Sequence, residues 1–121
     1  MKCFTFELNG REIRLRLTSQ DSIKIEDTYK VKLLDYIQDY SIKTIVNLLR
    51  YMRKGGGEQA FSQEDAQKLF DELVDNDWAI QTIVEKIIMP TCQVSGLLTQ
   101  GDLQMIQDRK EELKATQNQN M

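Results

Sequence analysis

Hydrophobic and polar residues alternate one by one at the start of the chain, on both sides of an Asn-Gly pair. The apolar positions of this segment are Phe4, Phe6, Leu8, Ile13, Leu15 and Leu17. Asn9 and Gly10 are preferred central residues of a type I′ turn, because both positions require a positive φ. A two-residue turn places Phe6 opposite Ile13 and gathers the apolar side chains on one face. The pattern predicts a half-buried β-hairpin.

Further along, apolar residues recur every three or four positions, which is typical of amphipathic helices. In the clearest case Ser41 is the predicted N-cap, and three glycines at 55–57 follow the last apolar residue. The apolar positions between them are Ile42, Ile45, Val46, Leu48, Leu49 and Met52. Glu58 and Gln59 follow the glycines, where a phosphate-binding loop would carry Lys and then Ser or Thr. The glycines are therefore interpreted as a helix terminator and flexible linker.

Two more helices are predicted in the stretch that leads to the only proline, Pro90. Ser62 is the expected N-cap of the first, with Asp65 in the capping-box position. Its predicted inward residues are Ala66, Leu69, Phe70, Leu73 and Val74. Asp77 is the expected cap of the second helix. Its apolar positions are Ile80, Ile83, Val84, Ile87 and Ile88. Pro90 is expected to end or kink this helix, because proline lacks a backbone N–H.

The remaining helical segments are less regular. Ser19 is the predicted N-cap of a helix that reaches about Tyr29 with Ile23 pointing inward, although Ile25 departs from this stripe. Residues 33–37 are apolar enough for a short helical turn. A last helix with a sparse apolar stripe is predicted from 102 to about 114, followed by a polar, frayed tail at 117–121.

These helices are expected to cover the apolar face of the hairpin, because an isolated hairpin is barely stable in water. The predicted fold class is α+β, mostly α, with an N-terminal β-hairpin packed on a bundle of about four to five short helices. Residues 1–98 are expected to form the hairpin and helical domain. Residues 99–121 are expected to add a C-terminal helix and a polar tail to the same domain.

Charge and composition narrow the range of partners. Of the 121 residues, 16 are Lys or Arg and 19 are Asp or Glu, and the basic residues form no stripe. Nucleic acid is therefore not an expected partner. The longest apolar-rich run, residues 79–90, is too short and too polar to span a bilayer, and no signal-peptide pattern is visible. We expect a cytoplasmic protein that does not engage a membrane and whose Cys3 and Cys92 stay reduced.

Candidate catalytic chemistry is sparse. The chain has no histidine, which removes the commonest general base and metal ligand. P-loop, GxGxxG and GxSxG motifs are absent from the sequence, and its acidic clusters lack the spacing of a calcium loop. We therefore expect that the protein is not an enzyme and that it uses no cofactor and no metal.

The order of elements resembles the small tail assembly chaperones of long-tailed bacteriophages and related prophages, especially those of Gram-positive hosts. The resemblance covers about residues 3–98. It is carried by residues 8–10, 14–18, 23, 25–26, 33–35, 44–49, 62–66, 69–72, 83, 87–88 and 94–97. The chain departs from the family pattern at Tyr29-Lys30, where a glycine usually follows the first helix, and at Pro90, which interrupts a helix that is often continuous.

The resemblance implies a protein that acts in the bacterial cytoplasm during phage morphogenesis and is absent from the mature virion. Members of this family are thought to coat the helical tape measure protein and keep it soluble. They then recruit tail tube subunits, which displace them as the tube polymerises. The implied partners are the tape measure protein and the tail tube protein, and the chain is also a candidate homo-oligomer.

The weakly patterned C-terminal part is the candidate partner-binding surface, because flexible Leu and Met side chains can repack around varied partners. Its residues are Val94, Leu97, Leu98, Leu103, Met105 and Ile106. The alternative is that these side chains close the core or pair two copies of the chain. Trp78 is a second candidate anchor, since tryptophan is enriched at interface hot spots, and it is equally a candidate core residue.

Two other functions remain open from the sequence. The chain could be a structural head–tail connector or tail component that stays in the virion. It could also be a small regulatory or antitoxin-like protein, although it lacks a basic recognition helix.

Overall fold

The structure is a computed structural model that describes residues 2–119, with side chains up to residue 109 and at residue 111. The elements, in chain order, are β1 (Phe4–Leu8), β2 (Arg11–Leu15), α1 (Ser19–Tyr29), α2 (Leu33–Ile37), α3 (Ile42–Gly55), α4 (Gln63–Asp75), α5 (Ile80–Ile83), a π-helical turn (Val84–Ile88), α6 (Met89–Val94) and α7 (Gln100–Gln119). The fold is α+β and mostly α, with the N-terminal hairpin packed on helices, as predicted.

The hairpin has the predicted register. Phe6 pairs with Ile13, and the two turn residues have φ values of 51° at Asn9 and 79° at Gly10. Ile13 and Leu15 of β2 are fully buried, whereas Phe6 of β1 is only partly buried. The side chain of Ser41 caps α3, which packs against β2, α4 and the π-helical turn. Helix α3 therefore links the hairpin to the rest of the core.

The first residue of the α3 stripe was predicted wrongly. Ile45, Leu49 and Met52 are buried, but Ile42 is 53% exposed. Ile42 is the first residue of α3, and the buried side chains of this helix begin at Thr44. A helical periodicity cannot show how far along a helix its packing partners extend.

The glycines after α3 are not a flexible linker. Gly55 is the last residue of α3, so the predicted helix end is confirmed, but Gly55 and Gly56 lie directly against the backbone of β2 and the residue after it. The N–H of Arg16 donates to the carbonyl of Met52 at 2.9 Å. A Cβ at Gly56 would lie 2.2 Å from the carbonyl oxygen of Arg14. Glycine is therefore needed at these positions, because only a residue without a Cβ lets the backbone at the end of α3 approach that of β2 so closely.

Helix α4 begins as predicted. The Ser62 hydroxyl accepts from the N–H of Asp65 at 3.1 Å, and the Asp65 carboxylate accepts from the N–H of Ser62 at 3.0 Å. The predicted inward residues Ala66, Leu69, Phe70 and Leu73 are buried. Val74 was predicted wrongly: it is 45% exposed, because it lies at the edge of the stripe in the last turn.

Helix α1 differs from the prediction in its cap and in its buried face. The N-cap is Thr18, whose hydroxyl accepts from the N–H of Asp21, so Ser19 is the first helical residue. Ile25 is fully buried and Ile23 is 58% exposed, the reverse of the predicted orientation. The inward face can include Ser22 because its hydroxyl donates to the carbonyl of Thr18 at 2.9 Å.

The segment from residue 80 to residue 94 is one interrupted helix made of α5, the π-helical turn and α6. Its N-cap is Ala79 rather than Asp77, which lies in the preceding turn with a φ of 67°. Pro90 does not end it, because α6 continues to Val94. In an α-helix a proline ring clashes with the carbonyl four residues earlier. The π-helical turn just before Pro90 replaces the i to i+4 hydrogen bonds of the α-helix with i to i+5 bonds.

Helix α7 is longer than predicted. It begins at Gln100 and runs to Gln119, and a reciprocal pair of hydrogen bonds between Thr99 and Asp102 caps its start. Of the tail that was predicted to be frayed, residues 117–119 belong to this helix and residues 120 and 121 lie outside the described residues. Helix α7 joins the core through Ile106, which is buried, and Leu103, which is partly buried.

Candidate partner-binding groove

A groove of about 520 Å³ lies between α1, α2 and the loop that joins α6 to α7. Its apolar lining is formed by Ile23, Leu33, Leu34, Leu97 and Leu98. Among the polar residues that line it are Glu26, Lys32 and Asp102. This arrangement of an apolar lining and polar rim, which we call the α1–α2 groove, is typical of a site for an amphipathic helix.

One wall of the groove is set by the turn between α1 and α2. The Glu26 carboxylate accepts from the N–H of Leu33 at 2.9 Å and so ties the start of α2 to α1. Lys30 ends α1 in the left-handed conformation, with φ 54°. A glycine fills such a position without steric cost.

The opposite wall is positioned by the end of α6. Gly96 has a φ of 82°, and its N–H donates to the carbonyl of Gln93 at 3.0 Å. The N–H of Leu97 donates to the carbonyl of Cys92 at 2.9 Å. These two bonds form a Schellman motif. The Ser95 hydroxyl also accepts from the N–H of Leu17, so the loop that carries Leu97 is anchored to the chain just after the hairpin.

The predicted partner-binding residues fall into separate places. Leu97 and Leu98 line the α1–α2 groove, with Leu98 buried and Leu97 partly buried. Leu103 and Ile106 attach α7 to the core. Val94 and Met105 are exposed, by 36% and 43%, and neither lines this groove.

Trp78, the other predicted anchor, lies elsewhere. It is partly buried, and its ring centroid is 6.2 Å from that of Phe6. Phe6 in turn is 6.1 Å from Phe4. This row of aromatic side chains along β1 lines no part of the α1–α2 groove.

Sequence reasoning missed three lining residues of the groove, Ile23, Leu33 and Leu34. A signal was available in α1, because Ile23 and Ile25 are two residues apart and cannot share one helical face. One of them therefore had to be exposed. Which one is exposed depends on the neighbours of α1, and these come from distant parts of the chain.

A polar cluster supports the junction of α1, α2 and α3. The rings of Tyr29 and Tyr36 are stacked with centroids 4.9 Å apart, and the Asn47 side-chain amide donates to both hydroxyl oxygens, at 3.1 and 2.9 Å. Burial raises the pKa of Tyr36 above its ordinary value. Hydrogen bonds from Ser41 and Thr44 lower the pKa of Asp39. The cluster fixes the geometry of the junction, and the raised pKa of Tyr36 disfavours the nucleophilic phenolate form of that side chain.

Reactive groups in the described part of the chain are few. Burial raises the pKa of the Cys92 thiol to about 12, which keeps it protonated. Among the side chains that the structure describes, no cluster of three or more potential metal ligands is found. None of the helices described in the structure combines the length and apolarity that crossing a bilayer requires. That the protein is not an enzyme stays a prediction.

Searches of protein-family models, curated proteins and solved structures found no match to this chain.

Proposed function

We propose that this protein is a non-catalytic tail assembly chaperone, which binds the tape measure protein in the host cytoplasm and recruits tail tube subunits during phage tail assembly. The observation that carries the proposal is the α1–α2 groove. A groove with an apolar lining and a polar rim can hold the apolar face of a long helix without any covalent chemistry.

The geometry of the groove supports a helical partner. Ile23 is 58% exposed at the groove, so an apolar side chain is already available to a partner without rearrangement of α1. Leu34 and Leu97 are partly buried and leave part of their surface accessible. An amphipathic helix presents apolar residues at three- and four-residue intervals, and these can fill such a groove as anchors.

The two departures from the family pattern are compatible with this function. Lys30 adopts the left-handed conformation, which a glycine adopts without steric cost. The π-helical turn lets the helix continue past Pro90. Neither departure removes a wall of the groove.

The test is co-expression with the tape measure protein from the same genome, followed by affinity pull-down and light scattering. We expect a soluble, stoichiometric complex, where the tape measure protein alone precipitates. Ile23→Glu should abolish the complex, because it places a charge in the apolar lining. The matched control is Ile42→Glu, since Ile42 is exposed to a similar degree on α3, outside the groove.

The proposal fails if the tape measure protein precipitates equally with and without this chain. It also fails if this protein is found as a stoichiometric component of purified virions. That second result would favour a structural head–tail connector or tail protein instead.

A further inference from the structure

Helix α7 separates two grooves. Asp102, in its first turn, lines the α1–α2 groove. Leu103 and Gln107 line a second groove of about 210 Å³, on whose other side lie Met89 and Pro90 of the interrupted helix. Helix α7 is therefore a wall of both grooves, and we call the surface that it covers together with these two grooves the trench.

The first turns of α7 are attached to the core by few apolar side chains. Ile106 is buried and Leu103 is partly buried, while Met105 between them is 43% exposed. The other described side chains from residue 104 to residue 111 are exposed. Over residues 100–109, whose side chains the structure describes, two apolar anchors one turn apart hold α7 to the core.

The start of α7 keeps its own capping interactions. The N–H of Thr99 donates to the Asp102 carboxylate at 2.9 Å, and the N–H of Asp102 donates to the Thr99 hydroxyl at 3.1 Å. One turn later, Gln104 donates to Asp108 at 3.0 Å. These bonds lie within α7 and its N-cap, so the helix can keep them when it leaves the core. Departure would break the exposed hydrogen bond that the Gln93 side-chain amide donates to the Gln100 side-chain oxygen at 3.1 Å, which water can replace.

We propose that α7 is a removable strap over a site for an amphipathic helix, and that a helix of the partner takes its place. The partner's identity rests on the proposed function, whereas the strap itself rests on the packing of α7. The anchors Leu103 and Ile106 show the side-chain chemistry that the trench accepts: two aliphatic residues spaced i and i+3 on one helical face. A partner helix with the same spacing would compete with α7 for this surface.

The strap has a measurable consequence for affinity. A binding site that is open in only a fraction of molecules has an apparent Kd raised by the inverse of that fraction. Minor states of this kind are commonly populated at about 0.1–10%. Release of α7 should therefore tighten helix binding by roughly tenfold to a thousandfold.

The test compares three full-length proteins: the wild type, Leu103→Asp/Ile106→Asp, and the matched control Gln104→Asp/Met105→Asp. Both double variants add the same charge to α7, but only the first removes its anchors. The probe is a peptide of residues 99–119, titrated by calorimetry. Amide hydrogen exchange of residues 100–109 is compared with that of α3. A second titration uses the tape measure protein.

We expect wild-type α7 to exchange at least tenfold faster than α3. In Leu103→Asp/Ile106→Asp, the anchor variant, we expect the amides of α3 to stay protected from exchange. This variant should bind both the peptide and the tape measure protein more tightly than the wild type does. The control variant should bind them as the wild type does. If the amides of wild-type α7 exchange only when those of α3 also exchange, α7 is part of the core and the inference is overturned. The inference is also overturned if α3 loses its protection in the anchor variant. A peptide affinity that is equal in all three proteins, or undetectable in all three, would overturn it as well.

The two proposals can fail separately. If the peptide distinguishes the variants and the tape measure protein binds none of them, the strap stands and the proposed function fails. If the tape measure protein binds all three proteins with one affinity, the proposed function stands and the strap fails.

Discussion

Gly55 at the end of α3 lies against the carbonyl group of Arg16, so close that a Cβ at position 55 would be 2.0 Å from the carbonyl oxygen. One turn earlier on α3, the carbonyl of Met52 accepts the N–H of the same Arg16. The hairpin is therefore held to the central helix by contact between two backbones. No side chain can enter this contact without separating them.

Gly55→Ala is accordingly expected to destabilise the protein by about 3 kcal/mol, the upper end of the range for overpacking a tight contact. The free energy of unfolding in urea would measure this. Gly101→Ala is the control, because a Cβ there would meet only the Thr99 hydroxyl, at 3.6 Å. The control should be neutral or slightly stabilising, since alanine favours helix. Equal stability of Gly55→Ala and the wild type would contradict the close contact.

Lys30→Gly is expected to stabilise the protein by about 1 kcal/mol, because Lys30 adopts a left-handed conformation that costs a residue with a Cβ about that much. Thermal unfolding would report the gain. Lys32→Gly is the control, since the Lys32 side chain is also exposed but its backbone has an ordinary φ of −71°. Lys32→Gly should not raise the melting temperature. A lower melting temperature of Lys30→Gly would show that the backbone at position 30 is not strained.

The two thiols should react at different rates. Burial raises the pKa of Cys92 to about 12 and also blocks reagents, whereas Cys3 is partly exposed. An aromatic disulfide reagent at pH 8 is expected to label one thiol quickly in the native protein and the second only as the protein unfolds. In Cys3→Ser the fast phase should disappear. A fast phase that persists in that variant would show that Cys92 is accessible.

Glu72 on α4 connects that helix to the hairpin turn. Its carboxylate accepts hydrogen bonds from the Arg11 guanidinium and, at 2.8 Å, from the Asn9 amide, and these interactions lower its pKa. Because the pKa of Glu72 is lower in the folded than in the unfolded protein, its ionised carboxylate stabilises the fold fully at pH values above the unfolded-state pKa, near 4.5. This contribution to stability is lost as the pH falls through the folded-state pKa. Acidification below pH 5 should therefore weaken the attachment of α4 to the hairpin.

Glu72→Gln is expected to lower stability at pH 7 by about 0.5–1 kcal/mol, since the ion pair is largely exposed, and to reduce the loss of stability between about pH 5 and pH 3. Urea titrations across this pH range would measure both effects. Glu64→Gln is the matched control, because the Glu64–Lys68 pair is a more exposed contact at 3.5 Å within one helix. Identical pH profiles for both variants would show that the contact with Arg11 has no effect on stability.

Predictions from sequence were most accurate where the determining interactions are local. The hairpin register follows from Asn9-Gly10 and a two-residue period, and Ser41 and Ser62 cap the helices that they were predicted to cap. In each case the donor, the acceptor and the required backbone angles lie within about four residues of each other. The order of elements and the fold class depend on these short-range signals.

The features that tertiary structure decided depend on residues far apart in the chain. The amphipathic pattern of α1 did not reveal that Ile25 is buried and Ile23 exposed, and a glycine run after a helix looks the same whether it is a linker or a contact with β2. Likewise, the α1–α2 groove joins Ile23 to Leu97 across most of the chain. Burial depends on what packs against a surface, and a sequence pattern shows only that a surface is apolar. The sequence therefore determined which elements form, and the packing of distant elements determined which of their faces remain available to a partner.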